Sequence, residues 1–120
     1  MRAVIDETTH GLLDYATVIA FALAPSLFDL SGTSAVLCYL LSVVHLAMTV
    51  TTRMRLGLWK VVSLRLHGFV ELAVGIALLA AGLVPNAVLA PHGWFFAVAG
   101  AAILLVWWLS DYRRVETAAP

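Results

Sequence analysis

Two short segments of this sequence place a histidine four residues before a carboxylic acid. His10 precedes Asp14 and His67 precedes Glu71, and a third histidine, His45, lies inside another apolar stretch. In an α-helix, residues four apart share one face, so each acid can hold its imidazole in one tautomer and one charge state. Imidazoles and carboxylates in apolar surroundings predict a polar cluster with a chemical or structural role.

Three interpretations of these five residues stay open. In the first, each histidine and acid satisfy one another and join neighbouring helices, as buried polar groups commonly do. In the second, they bind a metal ion or a haem, since imidazole and carboxylate suit a transition metal, although an HExxH motif and a pair of ExxH motifs are absent. In the third, they handle protons or ions within a membrane.

The amino-acid composition indicates whether the protein folds in water or in a membrane. Of 120 residues, 62% are hydrophobic and 12% charged, and the mean hydropathy is +0.98. Soluble domains are about 45–50% apolar and about 25% charged, and a short chain cannot bury so much apolar surface in its own core. The sequence therefore predicts an integral membrane protein. Seven basic residues balance seven acidic ones, which argues against a nucleic-acid partner.

Four stretches are long and apolar enough to cross a bilayer as helices. They run from about Gly11 to Leu30, Ser34 to Thr51, Leu64 to Val84 and Gly93 to Ser110. We expect Ser63 to cap the third helix, and Thr8 or Thr9 to cap the first.

The positions of the basic residues predict the orientation of the spans. All seven lie before the first span, between the second and third, or after the fourth: Arg2, Arg53, Arg55, Lys60, Arg65, Arg113 and Arg114. Short loops rich in Lys and Arg stay cytoplasmic. The chain is therefore predicted to be a multi-pass membrane protein with both termini in the cytoplasm.

The first and third spans resemble each other at an offset of 57 residues. Between residues 10–24 and 67–81, six positions are identical, and Asp14 aligns with Glu71. This predicts two tandem helical hairpins, over about 8–55 and 64–114, related as parallel repeats by a pseudo-two-fold axis along the membrane normal. The fold prediction is one all-α domain over residues 1–120, a polytopic four-helix bundle.

Small residues recur along the spans at helical spacing and predict close helix packing, since small side chains let backbones approach each other in a membrane. On the first and third spans they are Ala16, Ala20, Ala24, Gly68, Gly75 and Gly82.

The segments HGLLDY at residues 10–15 and APSLF at 24–28 resemble the SPW-repeat family, small bacterial membrane proteins built from two tandem two-helix repeats. The family's Ser-Pro-Trp stretch reads Ala-Pro-Ser at residues 24–26 and Val-Pro-Asn at 84–86, and its acid is Glu71 in the second repeat. The resemblance implies this fold and a location in the bacterial cytoplasmic (inner) membrane, and it implies no reaction.

The predicted function is therefore that of a non-catalytic structural or accessory subunit, whose partners are the lipid bilayer and either other membrane proteins or further copies of itself. The sequence contains no Gly-rich phosphate loop, Ser/His/Asp arrangement or CxxC motif, so we favour neither an enzyme nor a bound cofactor. The alternative is a metal-binding, haem-binding or proton-relay protein that uses His10, Asp14, His45, His67 and Glu71.

Overall fold

The computed structural model describes residues 4–110 and 112, and four α-helices make up most of that part of the chain. They are α1 (Glu7–Leu27), α2 (Gly32–Val50), α3 (Leu64–Leu83) and α4 (Gly93–Leu109). The all-α prediction is confirmed. The first three helices are long and apolar enough to cross a membrane, whereas α4 is more apolar than any of them but has 17 residues.

Helices α1 and α3 begin at side chains that accept a hydrogen bond from the first turn. Asp6 accepts from the Thr9 backbone N–H at 2.8 Å, and Ser63 accepts from the Leu66 N–H at 3.1 Å. The prediction for Ser63 is confirmed. The prediction that Thr8 or Thr9 caps α1 is wrong, because the Asp6 carboxylate reaches the free N–H of Thr9 and the helix starts one turn earlier.

The helices pair as two hairpins, with α1 packed along α2 and α3 packed along α4. The approach of α3 to α4 is close because glycines lie at the contact. A Cβ atom on Gly100 would stand 2.5 Å from the Leu79 backbone nitrogen and 2.7 Å from the Gly75 carbonyl oxygen. Only a residue without a side chain permits this separation.

Backbone hydrogen bonds also tie the helix ends together at the side of the bundle where α1 and α3 begin. The N–H groups of Val4 and Ile5 both donate to the Leu109 carbonyl at 2.9 Å, which holds the start of α1 against the end of α4. In the loop between α2 and α3, the Val62 N–H donates to the Thr51 carbonyl at 2.7 Å. His10 and His67, one turn into their helices, are thereby placed at the same end.

The interior is divided into an apolar and a polar part. The apolar core lies mainly toward the turns that close the two hairpins, and it contains Phe21, Ala24, Leu30, Cys38, Leu78, Leu89, Phe96 and Ile103. The opposite end buries polar side chains, and the outward faces of all four helices expose large apolar ones.

Candidate metal centre

Two helices supply the four side chains at the centre of the buried polar region. Helix α1 contributes His10 and Asp14, and helix α3 contributes His67 and Glu71. None of the four residues is more than 4% exposed. The two histidine–acid pairs, which the sequence allows to meet or to face apart, meet across the interface between the hairpins.

The ligand-type atoms form a closed ring in which nitrogen and oxygen alternate. The Nε2 atom of His10 lies 3.0 Å from Glu71 Oε1 and 3.3 Å from Asp14 Oδ2. The Nε2 atom of His67 lies 2.5 Å from the same Glu71 oxygen and 3.0 Å from the same Asp14 oxygen. All four atoms fall within 4.8 Å of one another.

The other ring nitrogen of His10 fixes which atom faces this ring. His10 Nδ1 lies 2.7 Å from Ser110 Oγ, and the Ser110 hydroxyl itself donates to the Val106 carbonyl at 2.6 Å. A serine hydroxyl has one proton, and Ser110 donates it to the Val106 carbonyl. Ser110 Oγ must therefore accept from His10, so the hydrogen-bond network assigns a proton to Nδ1.

The same arrangement holds His67. Its Nδ1 atom lies 2.7 Å from Thr52 Oγ1, and the Thr52 hydroxyl donates to the Met48 carbonyl at 2.5 Å. Thr52 therefore accepts from the Nδ1–H of His67. In the neutral rings both Nε2 lone pairs point at carboxylate oxygens, which also offer only lone pairs, so the arrangement requires a cation between them: protons on Nε2 or a metal ion.

The geometry and charge of the ring fit a divalent transition metal. Bonds of about 2.0–2.2 Å from a metal to imidazole nitrogen and carboxylate oxygen place neighbouring ligand atoms about 3 Å apart at right angles and about 3.4 Å apart in a tetrahedron. The two carboxylates balance a charge of two, which matters because an uncompensated charge is costly in a buried site. Metal-bound histidines commonly donate their second ring N–H to a neighbouring acceptor, as both histidines do here.

One carboxylate oxygen in the ring lacks a hydrogen bond. Among residues 4–110 and 112, fully buried Asp14 Oδ2 has no hydrogen-bond partner of acceptable geometry, although two imidazole nitrogens lie within 3.3 Å of it. A buried polar atom without a hydrogen bond is unusual and calls for an explanation such as an ion.

His45 and Tyr112 contact the outer oxygens of the two carboxylates. His45, on α2, places Nε2 3.4 Å from Asp14 Oδ1, so all five residues of the predicted polar cluster lie together. The Tyr112 hydroxyl donates to Glu71 Oε2 at 3.0 Å. Burial, together with the Glu71 carboxylate, raises the pKa of the Tyr112 phenol above its ordinary value of 10.0, which keeps this donor protonated.

Three residues of the site were missed from the sequence. Thr52, Ser110 and Tyr112 all follow helix ends and belong to none of the motifs of the sequence. A signal existed only in their position, since each lies at the end of the chain's even-numbered helices, where the odd-numbered helices begin.

The six predicted packing residues occupy different environments. Ala24 is fully buried, and Gly75 and Gly82 lie against α4. Gly68 lies against the Tyr112 ring. Ala16 and Ala20 are exposed and line a cleft between α1 and α4.

Comparison with models of known protein families, with curated proteins and with solved structures finds no match to this chain. The functional conclusion therefore depends on the site itself.

Proposed function

We propose that this protein is a small integral membrane protein of the bacterial cytoplasmic membrane that binds a divalent first-row transition-metal ion at His10, Asp14, His67 and Glu71. The single observation that carries the proposal is the convergence of two Nδ1-protonated imidazoles and two carboxylates on one buried point.

Membrane insertion is supported by the length of the helices and by their outward faces. Three helices are long and apolar enough to cross a membrane. Large apolar side chains such as Ile19, Val43 and Phe69 are 59–65% exposed, and soluble monomers rarely expose extended apolar surface. We include α4 as a fourth span, since its 17 residues extend about 26 Å against a hydrocarbon core of about 30 Å.

The proposed orientation places the metal site in the cytoplasmic half of the bundle. The described basic residues Arg53, Arg55, Lys60 and Arg65 lie in or next to the α2–α3 loop. That loop is at the end of the bundle that contains the site, because Thr52 bonds His67. The positive-inside rule assigns this end, and both termini, to the cytoplasm.

Recurring contacts support the proposed pair of parallel repeats. The Asp6–Thr9 cap recurs as Ser63–Leu66 at an offset of 57 residues. The bond from His10 to Ser110 of the other hairpin recurs as the bond from His67 to Thr52. A two-fold rotation along the membrane normal relates such exchanged contacts, in keeping with the proposed similarity to the SPW-repeat family.

We favour a metal ion over a haem because of where the carboxylates lie. Oxygens of Asp14 and Glu71 stand within 3.3 Å of both histidine Nε2 atoms, in the space that a macrocycle bound through those atoms would fill. We favour a metal over simple histidine–acid pairing because each histidine Nε2 faces oxygens of both Asp14 and Glu71, whereas pairing alone requires only one acid for each histidine.

The second candidate is a non-catalytic accessory subunit that packs against other membrane proteins or a second copy. It is favoured by an exposed stripe of small residues on α3, formed by Ala73, Ala77 and Ala80. Small residues at this spacing let another helix approach closely in a membrane.

Metal content of the purified protein tests the proposal. The protein is purified in mild detergent, loaded with Zn²⁺, Mn²⁺ or Fe²⁺ in turn and desalted, and bound metal is measured by elemental analysis together with an optical spectrum. We expect one of these ions to be retained at one per chain, and to be lost in His10→Ala and His67→Ala. His92→Ala is the matched control, because His92 lies in the loop before α4.

A protein that retains none of the three ions would overturn the metal proposal. A haem absorption band that disappears in His10→Ala and His67→Ala would overturn the choice of ligand. Metal-free protein that co-purifies with a larger membrane complex would identify the accessory subunit, with the histidines and acids serving only to hold the helices together.

A further inference from the structure

A cleft of about 370 Å³ lies between α1 and α4 and ends at the polar cluster. Its walls are apolar and partly made of small side chains, with Ala16 and Ala20 on α1 and Ala99 and Ala102 on α4. Three of these alanines are exposed at the surface of the bundle. In the proposed membrane orientation the cleft therefore opens sideways to the lipid.

The cleft is long and narrow. Along α4 it extends from Phe95 to Val106, a distance of about 16 Å at the rise of an α-helix. Spread over that length, 370 Å³ gives a mean cross-section of about 23 Å². This admits one hydrocarbon chain lying parallel to the helices.

One end of the cleft is polar. Asp14, His45 and Glu71 contribute to its lining, and the remaining lining residues are apolar apart from Thr17. The contact between His45 Nε2 and Asp14 Oδ1 is long, at 3.4 Å. A group that both donates and accepts hydrogen bonds can insert there, donating to the carboxylate and accepting from the imidazole.

We propose that this cleft binds a single-chain lipid alcohol, with the hydrocarbon chain along Ala16 and Ala20 and the hydroxyl group between His45 and Asp14. The choice of a neutral head group rests on the proposed function, since a bound divalent ion balances the two carboxylates and leaves no net charge for an ionic head group to pair with.

Photo-crosslinking in phosphatidylcholine nanodiscs tests this proposal. The probe is dodecanol with a diazirine in the middle of its chain, and the adducts are mapped by peptide mass spectrometry. We expect adducts on α1 near Ala16–Ala20 and on α4 near Val98–Ala102. Unlabelled dodecanol should suppress them at a concentration about tenfold lower than dodecane, a factor equivalent to about 1.4 kcal/mol.

Substitutions then test where the hydrocarbon chain of the lipid lies. Ala20→Leu fills the cleft and should abolish the adducts, while Ala22→Leu, exposed on the same helix but outside the cleft lining, should leave them unchanged. Metal content is measured on the same samples, so loss of metal binding and loss of lipid binding are separate readouts. Retained metal in Ala20→Leu shows that the bundle is intact.

Two results would overturn the proposal. Equal competition by dodecane and dodecanol would show that the cleft accepts any hydrocarbon chain and does not recognise the hydroxyl group, whether or not the protein binds metal. Stronger competition by dodecylamine than by dodecanol would show carboxylates whose charge is not balanced, and would count against the neutral head group and the metal ion together.

Discussion

At the residue scale, two hydroxyl groups determine what the buried histidines can do. Thr52 and Ser110 each give their proton to a carbonyl of their own chain segment and accept the Nδ1–H of a histidine. Without them, each imidazole could rotate or change tautomer and present an N–H to the carboxylates. The hydroxyls thus keep two Nε2 lone pairs aimed at one point, as second-layer partners do in metal sites.

This role predicts the effect of removing either hydroxyl. Thr52→Val and Ser110→Ala should each weaken metal binding by about 10–100-fold, the usual cost of losing such a partner. The measurement is competition with a coloured chelator on detergent-purified protein. Thr51→Val is the matched control for Thr52→Val, because the Thr51 hydroxyl bonds only the carbonyls of Ala47 and Met48 in α2. Affinity unchanged in both site variants would remove the tautomer argument.

The acids and histidines of the site could be predicted from the sequence, but the side chains that form hydrogen bonds with them could not. The spacing of four between His10 and Asp14, and between His67 and Glu71, marks both pairs because helix geometry is local. Whether the pairs meet depends on how two hairpins dock, which no local pattern encodes. Thr52, Ser110 and Tyr112 enter the site through that docking, so their residue types alone could not have identified them.

At the element scale, the contact inside the second hairpin differs from the boundary between the two hairpins. Helices α3 and α4 meet through glycines, and the Gly100 position touches backbone atoms of Gly75 and Leu79. Between α1 and α4 there is instead a cleft, closed at one end by the bonds from Val4 and Ile5 to Leu109. The rigid pair α3–α4 is therefore expected to determine the stability of the bundle, and the looser boundary is where a ligand can enter.

Substitution of Gly100 tests the importance of the α3–α4 contact. Gly100→Ala places a methyl group against backbone atoms that cannot move independently, and overpacking of this kind costs about 1–3 kcal/mol. We expect this loss in the free energy of unfolding, measured by denaturing-detergent titration. Gly11→Ala is the matched control, because the atoms nearest to its added Cβ belong to the Leu56 side chain, at 3.0 Å and beyond, and not to the backbone. Equal effects of the two substitutions would contradict a backbone-limited contact.

Helix existence was predictable from the sequence, and helix ends only in part. Runs of apolar residues between polar loops suffice to predict four helices, because each must bury its backbone polar groups internally. The start of α1 was misplaced because Asp6, Thr8 and Thr9 are all good caps, and only the fold selects Asp6.

At the scale of the whole molecule, polar and apolar interiors lie at opposite ends of the bundle. The apolar core lies toward the hairpin turns, and the histidine–acid ring lies toward the basic α2–α3 loop. In the proposed membrane orientation the metal site is then close to the cytoplasm, where an ion can reach it past the loop. The cleft provides a separate approach from the lipid.

Cysteine labelling tests orientation and the number of spans in one experiment. Lys60 and Val88 are exposed at opposite ends of the bundle, and the single native cysteine, Cys38, is fully buried. The variants Lys60→Cys, Val88→Cys and Arg114→Cys are each treated with a membrane-impermeant thiol reagent.

In intact spheroplasts only Val88→Cys should react, since it alone faces outward when basic segments stay inside. All three variants should react after permeabilisation. The wild-type protein should not react before or after permeabilisation, because its cysteine, Cys38, is buried. Reaction of both Arg114→Cys and Val88→Cys in intact spheroplasts, with Lys60→Cys unreactive, would mean that α4 does not cross the membrane. Reaction of Lys60→Cys but not Val88→Cys would reverse the orientation and move the metal site to the outer face. Because α4 has only 17 residues, Arg114→Cys is the variant whose result bears most directly on the four-span arrangement.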